Sequence, residues 1–317
     1  MQSLLKAINR LMMRVLFKAV VRPSVPLSLR RRWVRALLAA VGGPRGIERT
    51  ELRAGEVPML RLRAGAGSAV GPLPAGERDA ILYIHGGGYV LGGEGAYAGF
   101  AARFAEETGA DVYLPDYRLA PEHPFPAALD DVFSAYTAML ELGHSPGRVA
   151  VIGDSAGGGL ATALMLVLRE MTVPAPAALV LISPWLDLTL SGASVAANDR
   201  LDPVLRHDFL GEGGRAYAGD LHRSDPRVSP LYADLRRLPP TLVQIGSDEV
   251  LLDDSTRFAD RAWAAGVEVE LQRFEGMWHD FQTAAMTLAI SREAITAIGA
   301  CIRRRLADEG GPGVSRG

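Results

Sequence analysis

The chain has little of what would place it in a specialised class of protein. It holds one cysteine, Cys301, among 317 residues, and its net charge at neutral pH is −2. One cysteine excludes an intrachain disulfide and any metal site built from several cysteines. The nearly balanced charge provides no global positive field for nucleic acid, and no apolar run is as long as a membrane span. We therefore expect a globular protein of the cytoplasm with a packed, inert thiol at Cys301.

Residues 1–22 have the pattern of an amphipathic helix. Apolar residues recur at helical spacing, and basic residues stand every four positions along the opposite side: Lys6, Arg10, Arg14 and Lys18. The interrupting charges and the lack of a cleavage motif argue against a signal peptide. Two interpretations stay open, a helix that packs over the catalytic domain as part of a lid and a helix that lies on an anionic membrane surface. A second helix is predicted over residues 27–41.

The rest of the chain alternates between apolar strands and helices. An antiparallel pair is predicted within 47–63, followed by strands at 80–84, 111–114, 149–152, 178–183, 241–246 and 267–274. Helices are predicted between them at 97–108, 127–142 and 253–265, with a final helix at 281–306. This alternation predicts an α/β fold with a mostly parallel sheet and helices on both faces. In such a sheet the ligand site lies at the carboxyl ends of the strands.

One of these strand ends carries a G-x-S-x-G motif. The apolar run 149–152 leads into residues 153–157, which read GDSAG, and a helical pattern follows at once. A sharp turn between strand and helix would lift the hydroxyl of Ser155 above the sheet, beside the free amides of the helix N-terminus. The motif alone is weak, because a glycine-rich turn without any chemistry has the same pattern.

A serine nucleophile needs a base, and the base needs an orienting acid. His279 is the one histidine that both follows Ser155 and comes directly after a core strand. Four other histidines are expected to be structural or solvated: His123 is expected to be structural, and His144, His207 and His222 are expected to be solvated. The acid candidate is Asp248, directly after strand 241–246. Its rivals are the neighbouring Glu249 and two acids in the first turn of the next helix, Asp253 and Asp254.

The oxyanion of an ester reaction needs backbone donors that are already aimed at it. Residues 85–89, HGGGY, directly follow a predicted strand and offer amides with little side-chain obstruction. The amide of Ala156 comes directly after the proposed nucleophile. A phosphate-binding role for the glycine run is disfavoured, since it lacks the Lys-Ser/Thr ending of a P-loop and the spacing of a dinucleotide fingerprint.

Taken in order, these motifs resemble the hormone-sensitive-lipase family of α/β-hydrolases. The resemblance rests on HGGGY at 85–89, YRLAPE at 117–122, GDSAGG at 153–158, DE at 248–249 and HDF at 279–281. It is closest to the bacterial esterase branch with a GDSAGG elbow and covers about residues 45–305. It implies an α/β-hydrolase fold with a helical cap, with Ser155 as nucleophile, Asp248 as orienter and His279 as base. It also implies the oxyanion donors Gly87, Gly88 and Ala156, and a supporting polar role for Glu122.

The activity implied is that of a carboxylesterase for short- to medium-chain acyl esters, working through an acyl-enzyme on Ser155. A lactonase, a deacetylase or an amidase would use the same residues, and a non-catalytic ligand receptor on this fold stays an alternative. We predict no cofactor and no metal site. The expected partner is a small-molecule ester and not a nucleic acid; a homodimer and a peripheral membrane contact through residues 1–22 stay open.

The predicted organisation has four parts. Residues 1–45 would form N-terminal cap helices, and residues 46–187 together with 226–308 the catalytic domain. Residues 188–225 would be a cap insertion, and residues 309–317 a disordered tail.

Overall fold

The computed structural model describes residues 1–65 and 78–309. Its strands are β1 (Ile47–Ala54), β2 (Val57–Ala64), β3 (Ala80–Ile84), β4 (Asp111–Pro115), β5 (Val149–Asp154), β6 (Ala178–Ile182), β7 (Thr241–Gly246) and β8 (Val269–Phe274). Its α-helices are α1 (Gln2–Met13), α2 (Leu27–Ala40), α3 (Glu94–Thr108), α4 (Ala127–Glu141), α5 (Ala156–Glu170), α6 (Ala193–Ala197), α7 (His207–Ala218), α8 (Leu252–Ala264) and α9 (Ala289–Glu309). Of the predicted tail at 309–317, only residue 309 lies among the described residues.

The strands of the described chain form one sheet in the order β1-β2-β4-β3-β5-β6-β7-β8. β1 and β2 pair antiparallel, as do β2 and β4, while every pair from β4 to β8 is parallel. The register places Leu82 beside Val151 and Val151 beside Leu179. The predicted mostly parallel α/β fold is therefore confirmed.

Helices cover both faces of the sheet, which explains why the central strands are mostly apolar and buried along their whole length. Every residue of β3, β4, β5 and β6 is buried. Alternate residues enter two separate cores: Leu82 and Val151 pack with residues of α4, α5 and α8, whereas Ile81 and Ala150 pack with α3 and α9. The layers hold the strand ends in fixed relative positions, and the site is built at those ends.

Most predicted element bounds agree with the structure to within a few residues. The exception is the final helix, predicted over 281–306. A 3₁₀ turn at Phe281–Ala284 comes first, and α9 begins only at Ala289. The Oγ of Ser291, in the first turn of α9, donates to the carbonyl of Phe281 across this break. The 3₁₀ turn keeps the residues that follow His279 apart from the long helix.

The N-terminal helices and the segment 188–225 contact each other above the sheet. After α1 the chain continues through a π-helical segment, Arg14–Lys18, before α2 begins. Arg30 of α2, 2% exposed, forms a two-pronged ion pair with Glu212 of α7, with N–O distances of 2.7 Å. Lys18 donates to the carbonyls of Asp199 and Asp202. Among the described residues, no helix is long and apolar enough to cross a membrane.

Candidate active site

Ser155 lies at the sharp turn between β5 and α5. Its backbone has φ 51° and ψ −120°, a conformation that costs energy for a residue with a side chain and that typically marks a functional turn. The turn is held by main-chain bonds: the Ser155 amide donates to the carbonyl of Ile182 at 2.9 Å, and the Ser155 carbonyl accepts from the amide of Trp185 at 2.9 Å. The strained residue is thus tied to the end of the neighbouring strand β6.

The glycines of the motif are required by close backbone packing. A Cβ atom at Gly157 would overlap the carbonyl oxygen of Ile84, and one at Gly153 would overlap that of Gly157. Strand, turn and helix therefore pass each other with no room for side chains. This close packing brings the end of β3 to the elbow.

The glycine run after β3 supplies the predicted backbone donors. Gly87 and Gly88 have φ values of 118° and 63°, which favour glycine. Within residues 1–65 and 78–309, the amides of Gly87, Gly88 and Ala156 have no intramolecular hydrogen-bond partner. A Cβ atom added at Gly86 would lie 3.0 Å from that of Ser155, so the run passes directly beside the elbow. The arrangement suits the binding of a developing oxyanion.

His85 supports this loop from inside the protein. Its ring is fully buried and stacks between Tyr97 and Tyr117, with centroid distances of 5.0 and 4.2 Å. Tyr117 donates its hydroxyl to the His85 carbonyl at 2.7 Å. Burial lowers the pKa of His85 to about 4, so the ring is neutral at physiological pH. A neutral stacked ring is suited to holding the glycine run in place.

His279 follows β8, and a buried carboxylate lies beside it. Its Nδ1 is 3.1 Å from Oε2 of Glu249, and both side chains are almost completely buried. The other oxygen of Glu249, Oε1, accepts from Ser183 Oγ at 2.7 Å and from the Gly246 amide at 2.6 Å. Each oxygen of Glu249 therefore has its own partners: Oε1 accepts from Ser183 and Gly246, and Oε2 accepts from the imidazole.

The prediction that Asp248 orients His279 is wrong for this structure. The Asp248 side chain points away from the imidazole, is about 20% exposed and forms an ion pair with Arg10 of α1. The reason is the turn after β7. There the Asp248 amide donates to the carbonyl of Met277 at 3.0 Å, which fixes the orientation of the turn. In this orientation the side chains of Asp248 and Glu249 point in opposite directions. Asp248 faces α1, and Glu249, named from the sequence only as a rival, faces the interior.

A second carboxylate approaches the other nitrogen of His279. Asp280 has a left-handed backbone, φ 52°, and its Oδ2 lies 3.1 Å from His279 Nε2. Burial acts to lower the pKa of His279, but Asp280 and Glu249 outweigh it and raise that pKa well above the usual value. Burial also raises the pKa of Glu249 to about 7, against the pull of the imidazole. The ring between two carboxylates thus holds a proton strongly.

Ser155 and the loops around His279 are both hydrogen-bonded to the carboxyl end of β6. The Ser155 amide bonds the carbonyl of Ile182, and the next residue, Ser183, bonds Glu249 and accepts from the Asp280 amide at 3.3 Å. In the part of the chain that the structure describes, Ser155 Oγ and the imidazole are not hydrogen-bonded. The serine elbow and the loops around the histidine are therefore linked through one strand end.

The segment 188–225 holds the loop that carries Glu249. Asn198 donates from Nδ2 to the carbonyl of Glu249 at 2.8 Å, and Asp202 accepts from the Val250 amide at 3.1 Å. Glu122, expected to belong to a polar network, pairs with Arg31 of α2. Contacts from both predicted cap segments thus fix loops around the site.

Sequence reasoning missed Ser183, Asp280 and Asp202. The first has a positive φ of 46° that its sequence context does not announce. The HDF motif places Asp280 beside the base, a signal that was available but unused. The expectation that His144 is solvated was also wrong, because its ring is 2% exposed and lies 2.8 Å from the hydroxyl of Tyr113.

Known proteins resemble this chain over most of its length. A family model described as alpha/beta hydrolase fold matches residues 81–283. An esterase of Acinetobacter venetianus is 41% identical over 228 residues, which are 72% of this chain and 75% of the relative. An acetyl-hydrolase of Streptomyces hygroscopicus is 40% identical over 70% of this chain and 75% of its own. A crystal structure of an esterase from the bacterial hormone-sensitive lipase family superposes with a TM-score of 0.87 at 35% identity, covering 95% of this chain and 98% of the other.

Proposed function

The chain belongs to the hormone-sensitive-lipase family of α/β-hydrolases and is a carboxylic ester hydrolase, and on that premise we propose that it cleaves short- to medium-chain acyl esters through an acyl-enzyme on Ser155. The observation that carries the proposal is the buried Glu249–His279 pair, beside a strained serine elbow and three unpaired backbone amides. A triad is recognised by such roles and geometry rather than by sequence position.

In the first half-reaction Ser155 Oγ attacks the ester carbonyl carbon, and its proton passes to His279 Nε2. For this step Nε2 exchanges its approach to Asp280 for a hydrogen bond to Ser155, a contact that often forms only with substrate bound. Glu249 accepts a hydrogen bond from Nδ1–H throughout and stabilises the imidazolium, which keeps both of its protons. The oxyanion is held by the amides of Gly87, Gly88 and Ala156. When the bond between acyl carbon and alkoxy oxygen breaks, His279 returns the proton to the departing alcohol.

In the second half-reaction water replaces the alcohol. His279 takes a proton from the water as it attacks the acyl carbon, and then returns a proton to Ser155 as the carboxylic acid leaves. Glu249 takes the role that the sequence had assigned to Asp248. Every proton is accounted for by the imidazole, so the residues described suffice for the whole cycle.

A short acyl chain is supported by what lies over the glycine run. The ring of Phe209, 2% exposed, packs against Gly88, where a Cβ atom would lie 2.9 Å from its Cζ. An aromatic wall so near the oxyanion donors leaves little length for a chain extending along it. The name of the acetyl-hydrolase relative favours the same size class. We propose that residues 1–45 and 188–225 form the cap carrying this wall, an assignment supported by the Arg30–Glu212 pair.

The test is active-site labelling together with hydrolysis of graded esters. Wild-type protein should react with a fluorophosphonate probe and cleave p-nitrophenyl acetate and butyrate faster than long-chain esters. Ser155→Ala should abolish both signals, whereas Ser134→Ala, a matched change on α4, should retain them. Failure of the wild type to label would indicate a receptor without catalysis. Lactones and acetylated amines in the same panel separate a lactonase or deacetylase from an esterase.

A further inference from the structure

The N-terminal segment has a one-sided charge that the rest of the chain does not share. Residues 1–47 contain ten lysine and arginine residues and no acidic residue, although the whole chain has a net charge of −2. Such a segment attracts anions wherever its positive charges are not already used.

The basic stripe of α1 faces the protein and not the solvent. Lys6 donates to the carbonyl of Glu275, and Arg10 pairs with Asp248 and lies over the ring of Trp278, 5.6 Å from its centroid. Lys18, beyond the helix, reaches the carbonyls of Asp199 and Asp202. The inward side of α1 is completed by Asn9, buried beside the 3₁₀ turn after His279, where it accepts from Thr287.

Because polar groups point inward, a stripe of large apolar side chains points outward. These residues are 44–67% exposed and recur at helical spacing along α1: Leu4, Ile8, Leu11, Met12 and Val15. Leu29 and Trp33 of α2 are exposed to 51% and 45%. Trp33 donates its indole N–H to the carbonyl of Leu16 at 2.6 Å, which fastens it near the end of the α1 segment. We refer to these seven residues as the outer face.

The outer face continues into an open apolar cleft. The cleft has a volume of about 320 Å³ and runs between α1, α2 and the segment after His279. Met12 and Phe17 line one side, Leu38 another, and the half-exposed Met286 a third. Exposed apolar surface of this continuity typically marks a docking site rather than random surface variation.

Five arginines of the same segment are exposed and have no ion-pair partner among the described residues: Arg14, Arg22, Arg32, Arg35 and Arg45. A partner that binds the outer face must therefore be apolar where it contacts this face and negatively charged around the edge of the contact. A second copy of this chain does not fit, since a two-fold contact would set equal positive charges against each other. A helix pair that lies in the interface of an anionic membrane typically combines three features. These are a stripe of apolar side chains, a half-exposed tryptophan and arginines without an ion-pair partner.

We propose that the outer face binds anionic phospholipid surfaces, with Leu4, Leu11 and Trp33 in the acyl boundary and Arg22, Arg32 and Arg45 among the headgroups. The sequence left two interpretations open, a helix that packs over the catalytic domain and a helix that lies on a membrane, and this proposal combines them. Helix α1 packs over the catalytic domain by its basic side and meets lipid by its apolar side. The binding requires no catalysis and stands apart from the proposed reaction.

The experiment is flotation of the full-length chain with vesicles of phosphatidylcholine containing phosphatidylglycerol, compared with phosphatidylcholine alone. The wild type should float with the anionic vesicles and be released by high salt. Leu4→Gln/Leu11→Gln should reduce the partition coefficient about tenfold or more, and Arg32→Gln about fivefold. The matched control is Leu142→Gln/Met171→Gln, which removes two exposed apolar residues elsewhere, 46% and 64% exposed, and should float as the wild type does.

Folding is monitored independently of activity. Circular dichroism and melting temperature of each variant should equal those of the wild type, because the altered side chains are exposed. Absence of flotation, or flotation unaffected by Leu4→Gln/Leu11→Gln, overturns the proposal. A wild-type dimer that becomes monomeric in Leu4→Gln/Leu11→Gln overturns it too, since the occupant would then be a second copy. Retained fluorophosphonate labelling in a protein that does not float separates this failure from failure of the proposed function.

Discussion

Replacing Glu249 with glutamine should abolish most of the activity, because it changes the tautomer of His279. Oε1 accepts from the Gly246 amide and from Ser183, and an amide NH₂ there would face a backbone donor that cannot turn away. The glutamine oxygen therefore stays at that position, and its NH₂ group faces His279 Nδ1. Nδ1 must then accept a hydrogen bond from this NH₂ group, so the single proton of the neutral ring moves to Nε2. A protonated Nε2 cannot take the proton of Ser155. Loss of the correct tautomer costs about 10⁴-fold in kcat, equivalent to about 5 kcal/mol.

The control for this experiment is the neighbouring carboxylate. Asp248→Asn removes a partly exposed ion pair with Arg10, worth at most about 1 kcal/mol of stability, and should leave kcat within a few-fold of the wild type. Initial rates with p-nitrophenyl butyrate at saturation give both values, and circular dichroism confirms the folded state. The reasoning is refuted if Glu249→Gln keeps a tenth of the activity, or if Asp248→Asn loses as much as Glu249→Gln.

Two further outcomes follow from the surroundings of the site. The carboxylates of Asp280 and Glu249 raise the pKa of His279 above the usual 6.5, so the neutral base is lost as pH falls through this raised value. The acid limb of kcat/KM should lie above pH 6.5, and Asp280→Asn should move this limb to lower pH by removing a charge that favours the imidazolium. An acid limb at the same pH in the variant and the wild type would contradict this. Phe209→Ala should shift the preferred p-nitrophenyl ester to a longer acyl chain, with Phe133→Ala on α4 as control, and an unchanged chain-length profile would show that this ring does not limit the acyl chain.

The sheet could be predicted because burial on both faces leaves a clear mark in the sequence. Runs such as Val149–Asp154 and Thr241–Gly246 are mostly apolar and lead into turn residues, so both the type of element and its bounds follow from them. The elbow was predictable for the same reason, since its glycines stand where a strand meets a helix.

The orienting acid could not be predicted, because the choice depends on one backbone bond. Asp248 and Glu249 follow the same strand, and which side chain faces the interior is decided by the Asp248 amide bonding the carbonyl of Met277. A shift of one residue along this turn would exchange the two. The local sequence holds no information on that partner.

The orientation of α1 was hidden in a similar way. The helical period predicted the helix and its two sides, but it did not predict which side packs against the protein. The partners that turn it inward are Asp248 and the carbonyl of Glu275, far along the chain. His144 was misjudged likewise, because Tyr113 reaches it from another strand.

The docking of α1 also sets a delay during synthesis on the ribosome. Arg10 meets a partner made 238 residues later, and Lys6 one made 269 residues later. At usual elongation rates of about 5–20 residues per second, the helix waits for a time on the order of 10–50 seconds. Throughout that interval the apolar side of α1 and its two cations, Lys6 and Arg10, are uncovered. During this interval the nascent chain exposes the most apolar and cationic surface, so chaperones and bilayers bind it most readily.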